Sequence, residues 1–230
     1  MNALSVTPLT VTRWWLIRHA PVHNPGNVIC GASDREADTA DRAAAAALAA
    51  ALPADALWLT SPLRRSRQTA QALWQRSPRL AGTAVVEPAL AEQDFGDWEG
   101  ISHDTAATRD AEAAARFWRN PARHAPPGGE SFATVMERTA DALRRLTALH
   151  AGRDVVAVIH AGTIRGALAA ALELTPEAAL RLRIDPWSLT RLDHYGAGAG
   201  TGAGDDVETG AEAGAGSWSV GGVNARPGTF

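Results

Sequence analysis

The sequence predicts an α/β fold, a three-layer α/β/α sandwich with helices on both faces of a mostly parallel sheet. Three observations predict it. Residues 11–17 and 154–159 are short, apolar and β-rich, as strands buried on both faces of a parallel sheet are. Helical segments separate the strand-like runs, as right-handed βαβ crossovers require. Arg18, His19 and His160 stand at the carboxyl ends of two of these runs, where open α/β sheets bind ligands.

Taken in order, residues 11–17 form the opening strand, which ends at Arg18 and His19 before a loop punctuated by Pro21, Asn24, Pro25 and Gly26. Residues 40–52 form an alanine-rich helix stopped by Pro53, and residues 57–60 a short second strand. Ser61-Pro62 is expected to start a helix that runs to Trp74. Val85 and Val86 suggest a third strand, and residues 95–127 hold one or two helices packed outside the sheet. Ser131, Phe132, Val135, Thr139, Leu143 and Leu146 make an amphipathic stripe over residues 131–149. After the strand at 154–159 come helices at 162–174 and 176–182 and a strand at 188–194. Residues 217–224 are expected to return as its hairpin partner. Between them residues 196–216 are glycine-rich and acidic, predicted to be a flexible insertion, since they carry too little apolar surface to pack. Long insertions cost little, because closure entropy grows with the logarithm of loop length. Residues 1–230 then read as one domain, a common size for α/β proteins.

Composition narrows the chemistry. A formal net charge of −3 gives no basic excess to hold nucleic acid or an anionic membrane, so neither is an expected partner. Cys30 is the only cysteine, which excludes an intrachain disulfide and a thiolate zinc site; its default reading is a small buried hydrophobe. A signal segment and a membrane span are not read in the sequence, so a cytoplasmic location is expected. Lysine is absent altogether, which excludes Schiff-base chemistry and a Walker-type loop. Any phosphate is therefore held by guanidinium forks, histidines and backbone amides.

Four segments carry the chemistry: Leu16-Ile17-Arg18-His19-Ala20-Pro21; Ser61-Pro62-Leu63-Arg64-Arg65-Ser66-Arg67-Gln68-Thr69-Ala70; Leu90-Ala91-Glu92-Gln93-Asp94-Phe95-Gly96-Asp97-Trp98-Glu99-Gly100; and Val158-Ile159-His160-Ala161-Gly162-Thr163. In that order and spacing, over about residues 13 to 195, the chain resembles the histidine phosphatase superfamily, which includes phosphoglycerate mutases and α-ribazole phosphatases. The resemblance implies a cofactor-free, metal-independent phosphomonoester hydrolase acting on a small phosphorylated metabolite. It also implies His19 as nucleophile, Glu92 as proton donor to the leaving group, and Arg18, Arg65 and His160 around the phosphoryl oxygens. A neutral imidazole attacking phosphorus divides one hard displacement into two, with a phosphohistidine between them. Cationic forks stabilise charge on the equatorial oxygens. Glu92 must be protonated as the alcohol leaves and ionised as water attacks.

The family's arginine falls four residues after the serine of the Ser61-Pro62 pair, which selects Arg65 and leaves Arg64 and Arg67 facing solvent or ion-paired. Alanine replaces the family's usual glycine at Ala20 and Ala161, each adding a methyl beside the phosphate pocket; the Ala161 position joins the expected phosphate-binding set. Asn24 is either a phosphate contact, one residue short of the family spacing, or an ordinary turn asparagine. Glu130 either contacts substrate or begins the next helix. Arg116, Phe117, Trp118, Arg119, Arg123 and His124 are a candidate leaving-group reader or an ordinary helix face. His23 stands four residues after His19, but Pro21 and Pro25 oppose the helix a metal pair requires, and His103, His124, His150 and His194 read as surface or core residues. Two alternatives to the hydrolase stay open, a phosphoglycerate-type mutase and a noncatalytic phospholigand-binding protein of the same fold.

Overall fold

The apolar runs become the middle of a six-stranded sheet. The computed structural model describes residues 9–24, 26–80, 82–197, 216–226 and 228. Its strands are β1 (Leu9–Arg18), β2 (Leu57–Thr60), β3 (Ala84–Val86), β4 (Asp154–Ile159), β5 (Leu189–Ala197) and β6 (Ser217–Ala225), in the order β3-β2-β4-β1-β5-β6. The first four of that order are mutually parallel, and β5 and β6 are antiparallel additions at one edge. The helices are α1 (Arg42–Ala51), α2 (Arg64–Arg76), α3 (His103–Arg109), α4 (Ala111–Arg119), α5 (Phe132–Leu149), α6 (Ala161–Leu172) and α7 (Pro176–Ala179).

Alternation along β4 builds the layers. Val155, Ala157 and Ile159 pack with Leu143 and Leu146 of α5 and Ile164 and Leu168 of α6. Val156 and Val158 point the other way, into Ala45 and Leu48 of α1 and Ala70 and Leu73 of α2. Leu48, Leu73, Ile164 and Leu168 are fully buried, and burial of each contributes about 1.5–3 kcal/mol. A satellite cluster of Ile29, Trp98, Ala106, Ala113, Ala114 and Phe117 sets α3 and α4 beside the sheet's carboxyl edge, as the 95–127 segment predicts.

Where boundaries shift, a tertiary contact explains it. Helix α2 begins at Arg64, not Ser61, because the Ser61 hydroxyl binds the His160 ring and the Leu63 amide instead of capping a helix there. The helix expected over residues 176–182 ends at Ala179, and the Leu182 carbonyl accepts from Arg165 Nε at 2.8 Å. Asp41 caps α1 through the Ala44 amide, so that helix starts at Arg42 and not at residue 40. The hairpin pairing holds, with Tyr195 opposite Ser217 and His194 opposite Trp218. The glycine-rich insertion predicted at residues 196–216 falls almost wholly outside the described residues. Strand β5 pairs Leu189 with Ile17 and Ala197 with Leu9, so it runs away from the carboxyl end of β1. Among the described residues, no helix is long and apolar enough to cross a membrane.

Candidate active site

Neighbouring parallel strands bring the two motif histidines together. Arg18 of β1 stands opposite Ile159 of β4, the His19 amide donates to the Ile159 carbonyl at 3.0 Å, and the rings of His19 and His160 lie 5.0 Å apart. Both are buried. His19 Nδ1 lies 2.6 Å from the Ala20 carbonyl, which can only accept, so Nδ1 carries the proton and Nε2 the lone pair. Arg65 Nε donates to that Nε2 at 3.2 Å and to His160 Nδ1 at 3.3 Å. His160 Nε2–H then donates to Ser61 Oγ at 2.7 Å, and Ser61 Oγ to Ser66 Oγ at 2.9 Å. Burial first, then the Arg65 charge and the more distant Arg18, lowers the His19 pKa to about 3; the bond to the Ala20 carbonyl opposes this. Burial, His19 and the same two arginines hold His160 well below the usual imidazole value. Both imidazoles are neutral at physiological pH, the state in which His19 is a nucleophile.

Arg65 is itself held from behind. Its Nη1 donates to the Ser33 carbonyl at 2.7 Å and its Nη2 to the Gly31 carbonyl at 2.6 Å. Residues 31–33 turn those carbonyls toward Arg65 because their amides converge on one carboxylate, Glu99. Oε1 accepts from Ala32 at 2.8 Å and from Gly31 and Phe95 at 3.1 Å; Oε2 accepts from the Ser33 amide at 3.2 Å and from the Ser33 hydroxyl. Burial pushes the Glu99 pKa up, but the Ser33 hydroxyl and the Phe95, Ala32 and Gly31 amides outweigh it and leave the carboxyl below its ordinary range. A Cβ at Gly31 would lie 2.0 Å from the Gln93 carbonyl, so only glycine fits.

Arg18 donates Nη1 to the Ile184 carbonyl at 2.5 Å, while its buried Nε has no partner, an unspent donor in the site. Burial lowers its pKa, and Glu92 opposes the effect. Glu92 faces the start of α6, where Oε2 accepts from the Gly162 amide at 3.3 Å, and Oε1 accepts from the Gln93 amide at 3.0 Å. A Cβ on Gly162 would lie 2.2 Å from Glu92 Oε1.

A cleft of about 620 Å³ opens over these groups, lined by Arg18, His19, Arg65 and Glu92 together with Val22, Asn24, Val28, Ile29, Cys30, Gln93, Phe95, His103, Phe117, Trp118, Pro121, Arg165 and Leu180. His160 lies beneath His19, buried. Asn24 reaches the cleft, but both ends of its amide bind the Val28 backbone, the turn geometry offered as its alternative. Glu130 is not among the lining residues. Its carboxylate takes Arg138 Nη2 at 2.7 Å and the Asp94 amide at 3.0 Å, tying the Glu92 loop to α5. Ala161 opens α6, where helix amides lack intrahelical acceptors. Neither Ala20 nor Ala161 has a positive φ, so the alanines replace glycines at no backbone cost.

As expected, Arg64 is exposed and paired with Glu36, and Arg67 is exposed. Of the candidate leaving-group reader only Phe117 and Trp118 line the cleft; Arg123 pairs with Glu177, and His124 binds the Arg116 carbonyl. Two default readings need correction. Cys30 is half-buried in the cleft wall rather than in the core, and His103 lines the cleft against the Trp118 ring at 5.4 Å. Sequence reasoning also missed Glu99, Gly162 and Arg165. Glu99 and Gly162 sit inside quoted motifs, and Arg165 follows Ala161 by four residues, on the same helical face, a spacing that points it back to the site.

Two buried imidazoles, two guanidinium groups and a carboxylate at the carboxyl ends of parallel strands define a phosphate-transfer centre of the histidine type. The family model of the histidine phosphatase superfamily (branch 1) matches residues 14–201, and the chain belongs to that superfamily. The chain is 34% identical to a glucosyl-3-phosphoglycerate phosphatase of Mycolicibacterium vanbaalenii, over 78% of this chain and 79% of that one. It is 36% identical to a bifunctional protein of Mycobacterium tuberculosis over 61% of this chain, a match that spans only 38% of that protein's length. Among solved structures, the α-ribazole phosphatase of Shigella flexneri superposes with a TM-score of 0.69 at 26% identity, covering 78% of this chain and 89% of that one.

Proposed function

We propose that the chain is a phosphomonoesterase that hydrolyses a small phosphorylated metabolite through a phosphohistidine at His19. The observation that carries this reading is the His19 Nε2 lone pair, fixed by the Nδ1–H bond to Ala20 and set in a cleft between Arg18 and Arg65. In the first step Nε2 attacks phosphorus, the bond to the ester oxygen breaks, and protonated Glu92 gives its proton to the departing alkoxide. The Ala20 carbonyl steadies the imidazolium that forms. In the second step Glu92 takes a proton from water, the water oxygen attacks phosphorus, and the Nε2–P bond breaks to release inorganic phosphate and neutral His19. Arg18, Arg65 and His160 surround the phosphoryl oxygens throughout, and charge stabilisation of this kind contributes about 2.7–4 kcal/mol per donor removed.

Relatives named for phosphatase activity on small phosphate esters support the substrate class. Metal independence belongs to the same proposal, supported by a site whose positive charge comes from arginine. So does a cytoplasmic location, supported by the single cysteine. That one domain contains the whole activity is supported by a single sheet that takes strands from Leu9 to Ala225. The test is p-nitrophenyl phosphate turnover by the protein and by His19→Ala, with a 32P-phosphoryl donor used to trap an acid-labile, base-stable label. Release and labelling that vanish together in His19→Ala are expected. Undiminished turnover by that variant would refute the mechanism.

A further inference from the structure

Arg165 is a third arginine in the cleft and has no part in the two steps above. It is half-buried on α6, and its Nε is fixed by the Leu182 carbonyl at 2.8 Å. Among the described residues, no other hydrogen bond or ion pair engages its guanidinium. Arg64, Arg123, Arg138, Arg144, Arg145, Arg183 and Arg191, by contrast, each meet a carboxylate. An arginine anchored at one nitrogen, half-withdrawn from water and left without an acid is a binding group awaiting an anion.

Its neighbours say which anion. Arg18 and Arg65 act electrostatically on both histidines, whereas Arg165 acts on neither; its charge is felt by Arg18, and it feels Glu92. It follows the first residue of α6 by one helical turn, roughly 6 Å along the axis. Arg165 therefore stands on the side of Glu92, and in the proposed reaction that is the leaving-group side. Charge points the same way. Arg18, Arg65 and Arg165 are the arginines of the lining, and Glu92 is its one carboxylate. With Glu92 protonated for the first step and a phosphate dianion bound, one positive charge is left over. A single negative charge on the alcohol balances it.

We infer that Arg165 forms a subsite for a carboxylate carried by the alcohol, so that the preferred substrates are phosphate monoesters of hydroxy acids. This rests on the phosphatase reading. Nearby Phe117, Trp118, Pro121 and Leu180 supply an apolar wall for the remainder of the alcohol.

The test compares 3-phosphoglycerate with sn-glycerol 3-phosphate, which differ in having a carboxylate or a hydroxymethyl group. The native protein is expected to favour 3-phosphoglycerate in kcat/KM by about tenfold to a hundredfold, the range for a hydrogen bond to a charged group. Arg165→Met should erase most of that preference by losing far more on 3-phosphoglycerate, and Arg165→Lys should restore part of it. A native preference of one or less overturns the inference without any variant. Equal losses on both esters in a folded Arg165→Met, verified by circular dichroism, overturn it as well. No phosphate release from either ester or from p-nitrophenyl phosphate would overturn the phosphatase reading, and the subsite with it.

Discussion

Replacing Glu99 with glutamine tests whether the cationic wall of the cleft is held by a carboxylate that never touches it. Glutamine keeps the shape but presents an NH2 group where one oxygen was, facing amides that can only donate. If Oε1 is the oxygen retained, the contacts to Ala32, Phe95 and Gly31 survive, while those from the Ser33 amide and hydroxyl are lost. Two bonds to a charged acceptor at roughly 1.5–3 kcal/mol each set an upper range of about 3–6 kcal/mol, and partial exposure of Glu99 places the expected loss near 3 kcal/mol. The Gly31 and Ser33 carbonyls then no longer fix Arg65, and misplacement of a positioning group by about 1 Å costs on the order of a hundredfold in rate. Urea unfolding at pH 7 measures the first effect. Steady-state hydrolysis of p-nitrophenyl phosphate and inhibition by orthovanadate measure the second, with weaker vanadate binding expected. The folded-state pKa of Glu99 lies below its ordinary 4.5, so its contribution to stability is complete above that value and is lost as pH falls through the folded one. Native and variant stabilities should therefore converge in acid. A variant that loses stability yet keeps native kcat/KM and vanadate affinity would refute the link from Glu99 to Arg65.

Gly162→Ala drives a methyl against Glu92 Oε1 at 2.2 Å, and the flexible carboxylate will move before the helix does. The variant should fold as well as the native chain, since alanine favours a helix by about 1 kcal/mol. It should lose about 10²–10⁴-fold in kcat on alkyl phosphates and much less on p-nitrophenyl phosphate, whose leaving group needs no proton; equal losses would remove Glu92 from the donor role. The His19 imidazole should stay neutral from pH 8 to pH 5 by 15N NMR, because its folded pKa is about 3, and titration near 6.5 would contradict the burial argument. The unfolded chain takes up that proton at about 6.5. Stability contributed by neutral His19 is therefore present above 6.5 and declines as pH falls toward 3, a slope that His19→Asn should reduce in urea titrations.

Much of this architecture is legible in sequence because strands β1 and β4 announce themselves locally. Each is an apolar run closed by a reactive residue, so their pairing puts His19 beside His160 once the sheet is parallel. Arg65 is singled out from Arg64 and Arg67 only by motif spacing, and the helix orientation then buries it and leaves its neighbours in water. What escapes is what depends on contacts across long separations. Glu99 reads as one more acidic loop residue until residues 31–33 fold around it. Arg165 looks like a helix surface until its guanidinium is seen in the cleft. The short α7 is a case of tertiary contact overriding local preference, since Leu182 and Ile184 give their carbonyls to Arg165 and Arg18.

The direction of β5 has an engineering consequence. Leu189 begins it level with Ile17, and Ala197 ends it level with Leu9, so the β5–β6 connection departs from the pole of the molecule opposite His19, about 25–30 Å of strand away. Fluorophores, affinity handles or whole inserted modules spliced between Ala197 and Ser217 would hang there without crowding the chemistry.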